Sequence, residues 1–145
     1  MNVDWVIPCR YIEIHDNLGT LVGAGIDTFW VSELPATIQV AMAIRLTALA
    51  SELEPEIMHA ARNIIRGPDG STIGELNAEF SLGTAGSVER PDWLQGVMMH
   101  TVVGFEATEE GTYTFEHIVN QSSQSVPLHV VHGPAPGADQ VPQEE

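Results

Sequence analysis

Apolar and polar side chains alternate with a period of two along several stretches of this chain. In the clearest stretch every second residue is large and apolar: Ile38, Val40, Met42, Ile44 and Leu46. Successive side chains of a β-strand point to opposite faces of its sheet, so this pattern predicts a strand with one buried face. The opposite face carries the small residues Ala41 and Ala43, which predict close packing against another layer.

The N-terminal stretch shows the same alternation. Its apolar set is Val3, Trp5, Ile7, Cys9 and Tyr11. We expect these side chains to share the core face of a first strand. Pro8 has no N–H to donate to a neighbouring strand, so it places this strand at an edge or interrupts it.

Further strand-like stretches lie at residues 21–31, 97–106, 112–119 and 126–132, each next to turn-forming residues. Short strands at this spacing, without helices between them, are typical of antiparallel sandwiches and barrels. The sequence therefore predicts an all-β fold: an antiparallel β-sandwich, immunoglobulin-like or jelly-roll-like, with about eight strands and at most one short helix.

One segment, residues 51–66, fits two patterns. Leu53, Ile57, Ala60 and Ile64 form a stripe at helical spacing. The turn sequence GPDG at residues 67–70 instead favours a hairpin that pairs residues 57–66 with 73–82. We favour the hairpin, because it accounts for both sides of the turn.

The stretch GTYTF, Gly111 to Phe115, follows a turn and enters the next-to-last predicted strand. In immunoglobulin-like sandwiches a tyrosine at this place buries its ring, and its hydroxyl bonds back to the turn backbone. Gly111 permits the positive φ that a tight corner needs. An ordinary hairpin with Tyr113 and Phe115 in the core explains the same residues.

The last 13 residues, GPAPGADQVPQEE, are rich in proline, glycine and acidic residues. Such a composition buries too little apolar surface to order itself. We therefore expect a sandwich domain over residues 1–132 and a disordered acidic tail over residues 133–145.

Four motifs in this chain resemble the pattern of one known family. They are DWVIPCRYIEI from Asp4, GAGIDTFW from Gly23, ELPATIQVAMAIRL from Glu33 and GTYTF from Gly111. In this combination the chain resembles the DUF6941-type domain, a family of small bacterial proteins of uncharacterised function. The resemblance covers most of residues 1–132. It implies a β-sandwich and supplies no catalytic residues.

The charge of the chain excludes two classes of binding partner. Its 145 residues include 20 acidic and 5 basic side chains, with no lysine, and the formal net charge is −15. Binding to nucleic acids or to anionic membranes depends on clustered Lys and Arg, so we expect neither. The chain has no signal-peptide pattern and no stretch of about 20 apolar residues, which predicts a cytoplasmic protein.

Several residues could carry chemistry, and for each the structural explanation is the simpler one. Gly23-Ala24-Gly25 lacks the rest of a dinucleotide fingerprint, and no cofactor is predicted. Glu13 and His15 fit a solvated strand end, and Cys9 fits a buried small hydrophobe.

The histidines raise the question of a metal site. His129 and His132 are three residues apart, so in a strand they point to opposite faces and cannot share a metal. His100 and His117 lie on strands that could be neighbours, which makes a cross-strand metal site a weaker alternative. No ligand spacing resembles a closed structural site, so no metal is predicted.

The function predicted from the sequence is a non-catalytic structural or protein-interaction module, self-associating or part of a larger assembly. The small-residue face of Ala41 and Ala43 is the basis for self-association. One alternative is a sandwich that binds carbohydrate or another small ligand through exposed Trp93 or Trp30. The other is a metal-dependent enzyme that uses His100 and His117.

Overall fold

The computed structural model describes residues 1–82 and 92–136, and within them the chain is all-β. The ten strands in this part of the chain are β1 (Asn2–Cys9), β2 (Tyr11–His15), β3 (Leu18–Val22), β4 (Thr28–Val31), β5 (Ala36–Leu49), β6 (His59–Arg66), β7 (Thr72–Phe80), β8 (Leu94–Ala107), β9 (Gly111–Val119) and β10 (Ser122–His132). One 3₁₀ helix, Ala50–Leu53, follows β5. The predicted all-β fold is confirmed.

The strands form a sandwich of two sheets. One sheet has three antiparallel strands in the order β1-β5-β8. The other has five strands in the order β4-β10-β9-β6-β7, and only the pair β4–β10 in it is parallel. The main core lies between them and contains the inner side chains of β5 together with Phe105, Tyr113 and Phe115.

Strands β2 and β3 form a separate hairpin, which raises the strand count above the predicted eight. Its turn residues Asp16 and Asn17 both have positive φ, 48° and 63°. Asp and Asn tolerate this conformation better than other side chains, and two such residues make the turn that best matches the twist of a tight hairpin.

The central strand β5 is buried on both faces. Its large apolar residues, from Ile38 to Leu46, point into the main core as predicted. On the opposite face Ala41 and Ala43 form a second cluster with Cys9 and Ile12, and Leu21 of β3 packs against it. The small-residue face that predicted contact with a second copy is therefore covered by the chain's own β2–β3 hairpin.

The predicted face of β1 is wrong beyond Val3. The register of β1 against β5 shifts between Val3 and Trp5. An extra residue in a strand moves every following side chain to the other face. Consequently Val3 and Val6 face the main core, whereas Trp5 and Ile7 pack on the second cluster.

The hairpin predicted for the ambiguous segment is confirmed. Strand β6 pairs with β7 in antiparallel register, from His59 opposite Phe80 to Arg66 opposite Thr72. Asp69 Oδ1 accepts a hydrogen bond from the Ser71 amide at 2.9 Å, and Gly70 adopts a φ of 81° in this turn. The turn chemistry of GPDG therefore outweighs the helical stripe.

The last strand ends at the residue where the sequence predicts the end of the sandwich domain. Strand β10 ends at His132, and the amide of Gly133 still donates to the Val31 carbonyl at 2.9 Å. The tail predicted from residue 133 lies outside the described residues from 137 onward.

Tyr113 forms the predicted tyrosine corner. Its side chain is buried, its ring centre lies 5.0 Å from that of Phe105, and its hydroxyl donates to the Glu109 carbonyl at 3.0 Å. Gly111 has a φ of 150°, and a Cβ there would lie 2.8 Å from Cγ of Pro68. The corner thus ties the β8–β9 turn to the core and requires glycine where it passes the β6–β7 turn.

We predict that Tyr113→Phe lowers the free energy of unfolding by about 0.5–1.5 kcal/mol, because it removes the hydroxyl's partly buried bonds to the Glu109 carbonyl and amide and keeps the ring. Urea unfolding measures the change. Tyr11→Phe is the matched control, since Tyr11 is exposed, and it should change stability by less than about 0.5 kcal/mol. Equal effects of the two substitutions would contradict a structural role for the corner.

Candidate functional site: the open edge of strand β8

His100 and His117 do not form a pair in this fold. His100 lies on β8, in the three-stranded sheet, and its side chain is exposed. His117 lies on β9, in the five-stranded sheet, with 1% of its surface exposed. The two strands are not neighbours, because β8 pairs with β5 and β9 pairs with β6 and β10.

His117 sits in the core as a neutral imidazole. Its Nδ1 lies 2.6 Å from Oδ1 of Asn63, so Nδ1 carries the proton and donates it. No hydrogen-bond partner for its Nε2 is found among residues 1–82 and 92–136. Burial lowers the pKa of His117 from 6.5 to about 4. The same part of the chain contains no group of three or more His, Cys, Asp and Glu side chains placed to hold a metal.

The two candidate tryptophans lie far apart. Trp93 is 58% exposed, and its carbonyl accepts a hydrogen bond from the amide of Ala50, just beyond the end of β5. Trp30 is 42% exposed and lies on β4, shortly before β5 begins at Ala36. The 14 residues of β5 span roughly 45 Å. Trp93 and Trp30 therefore cannot form one aromatic platform, and each would have to bind a ligand separately.

The remaining polar candidates have ordinary surroundings. His15 Nε2 lies 2.6 Å from Oε1 of Glu13, and both side chains are solvent-exposed. Cys9 is fully buried, with its thiol 3.5 Å from the Ala41 carbonyl, and burial raises its pKa. His129 and His132 both lie on β10 at odd spacing, so they point to opposite faces as expected.

Strand β8 presents the least protected backbone of the described residues. It is the last strand of the three-stranded sheet and pairs with β5 over all 14 residues without a register shift. From Leu94 to Phe105 it contains no Asp, Glu, Lys, Arg or Pro. Charges, prolines and bulges are the features by which proteins prevent an edge strand from pairing with another chain.

The β2–β3 hairpin covers the first half of this edge with one side chain. The amide of Asn17 donates to the Gly96 carbonyl at 2.6 Å and accepts from the Met98 amide at 2.7 Å. A single primary amide thereby satisfies the two backbone groups that a neighbouring strand would otherwise bind. Gly19 of β3 also lies close to this edge, since a Cβ there would lie 2.9 Å from the Met98 methyl carbon.

None of the described residues covers the second half of the edge. N–H and C=O groups alternate in direction along a strand, so residues of the same parity as Gly96 and Met98 point away from β5. These are His100, Val102, Gly104 and Glu106, and we call their backbone groups the open edge. Beyond the pairs with β5, no hydrogen bond from residues 1–82 or 92–136 reaches them. Val102, at the centre, is 66% exposed.

The facing sheet extends past β8 and leaves an apolar residue uncovered. Asn63 of β6 pairs with Leu76 of β7, so both side chains lie on the same face of the sheet, the face where Asn63 contacts buried His117. Leu76 is nevertheless 59% exposed. A cleft of ≈ 270 Å³ lies between β7 and β8, lined by Leu76, Val103 and Phe115 among others. The three-stranded sheet therefore stops one strand short of covering β7.

Comparison of the chain with protein-family models, with curated proteins and with solved structures found no match. The relation to the DUF6941-type family stays a prediction from the four motifs. The candidate site therefore depends on the geometry of β8 and its neighbours alone.

The sequence carried a signal for this edge that strand prediction alone misses. The uncharged stretch GVMMHTVVGF, residues 96–105, marks a strand with no protection against pairing. Its position at the end of a sheet is not visible from local sequence. The bonds of Asn17 to Gly96 and Met98 connect residues about 80 positions apart and have no local signal.

We predict that acid destabilises the fold through His117 before most carboxylates titrate. A histidine with a folded pKa below its unfolded pKa binds fewer protons when folded, so stability falls as pH drops from about 6.5 towards 4. The loss between pH 7 and pH 4.5 should be roughly 2–3 kcal/mol. Urea unfolding at the two pH values measures it.

His117→Gln removes this titration and should reduce the difference between the two pH values by most of that amount. His132→Gln, at an exposed position, is the control and should leave the difference unchanged. An unaltered pH dependence in His117→Gln would show that the imidazole is not held neutral by burial.

Proposed function

We propose that this protein is a non-catalytic interaction module that binds an extended protein segment along the open edge of β8. The observation that carries the proposal is the uncovered, uncharged half-strand from His100 to Phe105, beside a facing sheet whose Leu76 is exposed. In β-strand addition, backbone hydrogen bonds supply affinity and alternate side chains supply specificity. The open edge would supply the backbone groups for such bonds, and the cleft beside Leu76 would receive the alternate side chains.

The other edge strands of the two sheets, β7, β4 and β1, are better protected than β8, which supports β8 as the binding edge. Strand β7 carries Glu75, paired with Arg62 at 2.8 Å, and its register with β6 shifts at Arg66. Strand β4 has only four residues. The β1 edge lies against β10, and its Val3 amide donates to Ser122 Oγ at 2.9 Å.

The charge of the chain and the outline of the fold support the remaining parts of the proposal. A net charge of −15 disfavours nucleic acid and anionic membrane surfaces as partners. No helix within residues 1–82 and 92–136 has the length and hydropathy that a membrane span requires. We further propose that the protein acts in the cytoplasm, without a cofactor and as a member of an assembly.

Val102→Pro should abolish assembly without unfolding the domain. The amide of Val102 points away from β5, so proline removes only a donor of the open edge, and proline is tolerated at such edge positions. Untagged wild-type protein purified from its native host should have a mass above the 15.7 kDa of one chain. The Val102→Pro variant should have the mass of a single chain. Native mass spectrometry and light scattering measure both.

Val102→Ala is the matched control, because it keeps the amide while shortening the side chain. It should retain the assembly, and circular dichroism should show the same β-sheet content in all three proteins. A monomeric wild-type protein, or an assembly that survives Val102→Pro, would overturn the proposed function.

A ligand-binding role is a second candidate, favoured by the 58% exposure of Trp93 next to exposed Leu94. Exposed aromatic rings stack on sugar rings or anchor partners. If Trp93 binds glycans, the wild-type protein gives a signal on a glycan array that Trp93→Ala reduces at least about tenfold. Trp30→Ala is the control on the distant β4. Absence of any wild-type signal would remove this candidate.

A further inference from the structure

We infer that the segment bound at the open edge is an extended peptide with apolar residues at alternate positions and a lysine or arginine at one end. This inference rests on the proposed function and specifies the chemistry of the partner. It follows from the shape and charge of the groove between β7 and β8.

The groove has two adjoining parts. The cleft of ≈ 270 Å³ between β7 and β8 continues into a second depression of ≈ 380 Å³ beside the β6–β7 and β8–β9 turns. Gly74 and Gly104 line both parts. A Cβ at Gly74 would lie 3.9 Å from Cβ of Ile65, which also lines the first part, so its absence leaves room for a strand along β8 to pass from one part to the other. We call the two parts together the edge groove.

The first part selects apolar side chains. Its apolar lining consists of Leu76, Val102, Val103, Ile65 and Phe115. Asn63, Thr101 and Glu75 also line it, and Glu75 is already paired with Arg62. Side chains of an added strand alternate between the two faces, so every second one faces β7 and Leu76. An apolar side chain at these positions buries the exposed surface of Leu76, and burial contributes about 25 cal/mol for each Å² of apolar surface removed from water.

The second part selects a positive charge. Asp69, Glu106 and Glu109 line it, and none of the described residues lining either part is lysine or arginine. Hydrogen bonds from Ser71 lower the pKa of Asp69, so this carboxylate stays ionised at neutral pH. Three of the five arginines already pair with acids elsewhere, Arg45 with Asp4, Arg62 with Glu75 and Arg66 with Glu116. A cation on the partner is therefore the complementary charge.

A second copy of this chain fits the groove less well. Two molecules of net charge −15 repel each other, whereas a basic segment is attracted. Exposed Leu76 also shows that β7 extends beyond β8. In a symmetric pair of β8 strands, the protruding β7 of each copy would have to lie below the other copy's β8. That copy's own five-stranded sheet already lies there. A single added strand has no such conflict.

The length of the segment follows from the open edge. His100 to Glu106 is seven residues, with four of them presenting backbone groups outward. A peptide of about seven to ten residues is therefore long enough, and its basic end lies near Glu106.

A displayed library of random ten-residue peptides, selected on the full-length protein, tests the inference. We expect enrichment of sequences with apolar residues at alternate positions and Lys or Arg at one end. The enriched peptides are then synthesised, and fluorescence anisotropy gives their affinity for three proteins: wild type, Val102→Pro, and the double variant Glu106→Gln/Glu109→Gln.

The expected results distinguish the contribution of backbone hydrogen bonds to peptide affinity from the contribution of the acidic side chains. Val102→Pro should weaken binding at least about tenfold. The double Gln variant should weaken it about three- to tenfold at 20 mM salt and less at 500 mM, because salt screens exposed charges. The double variant Glu54→Gln/Glu56→Gln is the matched control: both residues are exposed beyond the far end of β5, and it should bind like wild type.

Other outcomes overturn the inference in distinguishable ways. Enriched peptides that need Val102 but lack basic residues would refute the charge selection and leave the proposed function standing. Enriched peptides that resemble residues 100–106 themselves would identify a second copy as the occupant. Peptides that bind Val102→Pro as well as wild type, or no enrichment, would refute both the inference and the proposed edge.

Discussion

The fold depends on burying both faces of strand β5. Its large residues fill the space between the two sheets, and its alanines allow the β2–β3 hairpin to lie on the opposite face. A strand covered on both sides cannot tolerate a one-residue slip, because the slip would place alanine in the main core and leucine or methionine under the hairpin. The strict alternation between Ile38 and Leu46 therefore sets the register of both β1 and β8.

The same arrangement leaves one side of the sandwich incomplete. The hairpin is used to cover β5, so it does not add a fourth strand beside β8, and the five-stranded sheet extends past the three-stranded one. Leu76 is exposed, and half of the β8 backbone has no partner among residues 1–82 and 92–136, for the same reason. The features that close the core and the features that form the candidate site thus have a common origin in the unequal number of strands.

Local patterns in the sequence identified what depends on local physics. Alternation located β5, the GPDG turn located the β6–β7 hairpin, and GTYTF located the tyrosine corner, because each is determined by residues close together in the chain. The face of Trp5 was predicted incorrectly, since a bulge after Val3 is decided by pairing with β5. Likewise, the histidines could not be assigned to sheets, and Ala41 and Ala43 could not be assigned a cover, without the strand order.

Asn17 also has a consequence for how a strand could dock. Its two hydrogen bonds occupy the backbone groups of Gly96 and Met98, so an added strand cannot pair with β8 at these two residues. A strand sliding two residues towards the start of β8 would have to displace this amide, and sliding by one residue would turn its side chains over. A side chain from a distant hairpin therefore limits how far a bound strand can extend towards the start of β8, and it also shortens the unpaired backbone on which fibrils could grow.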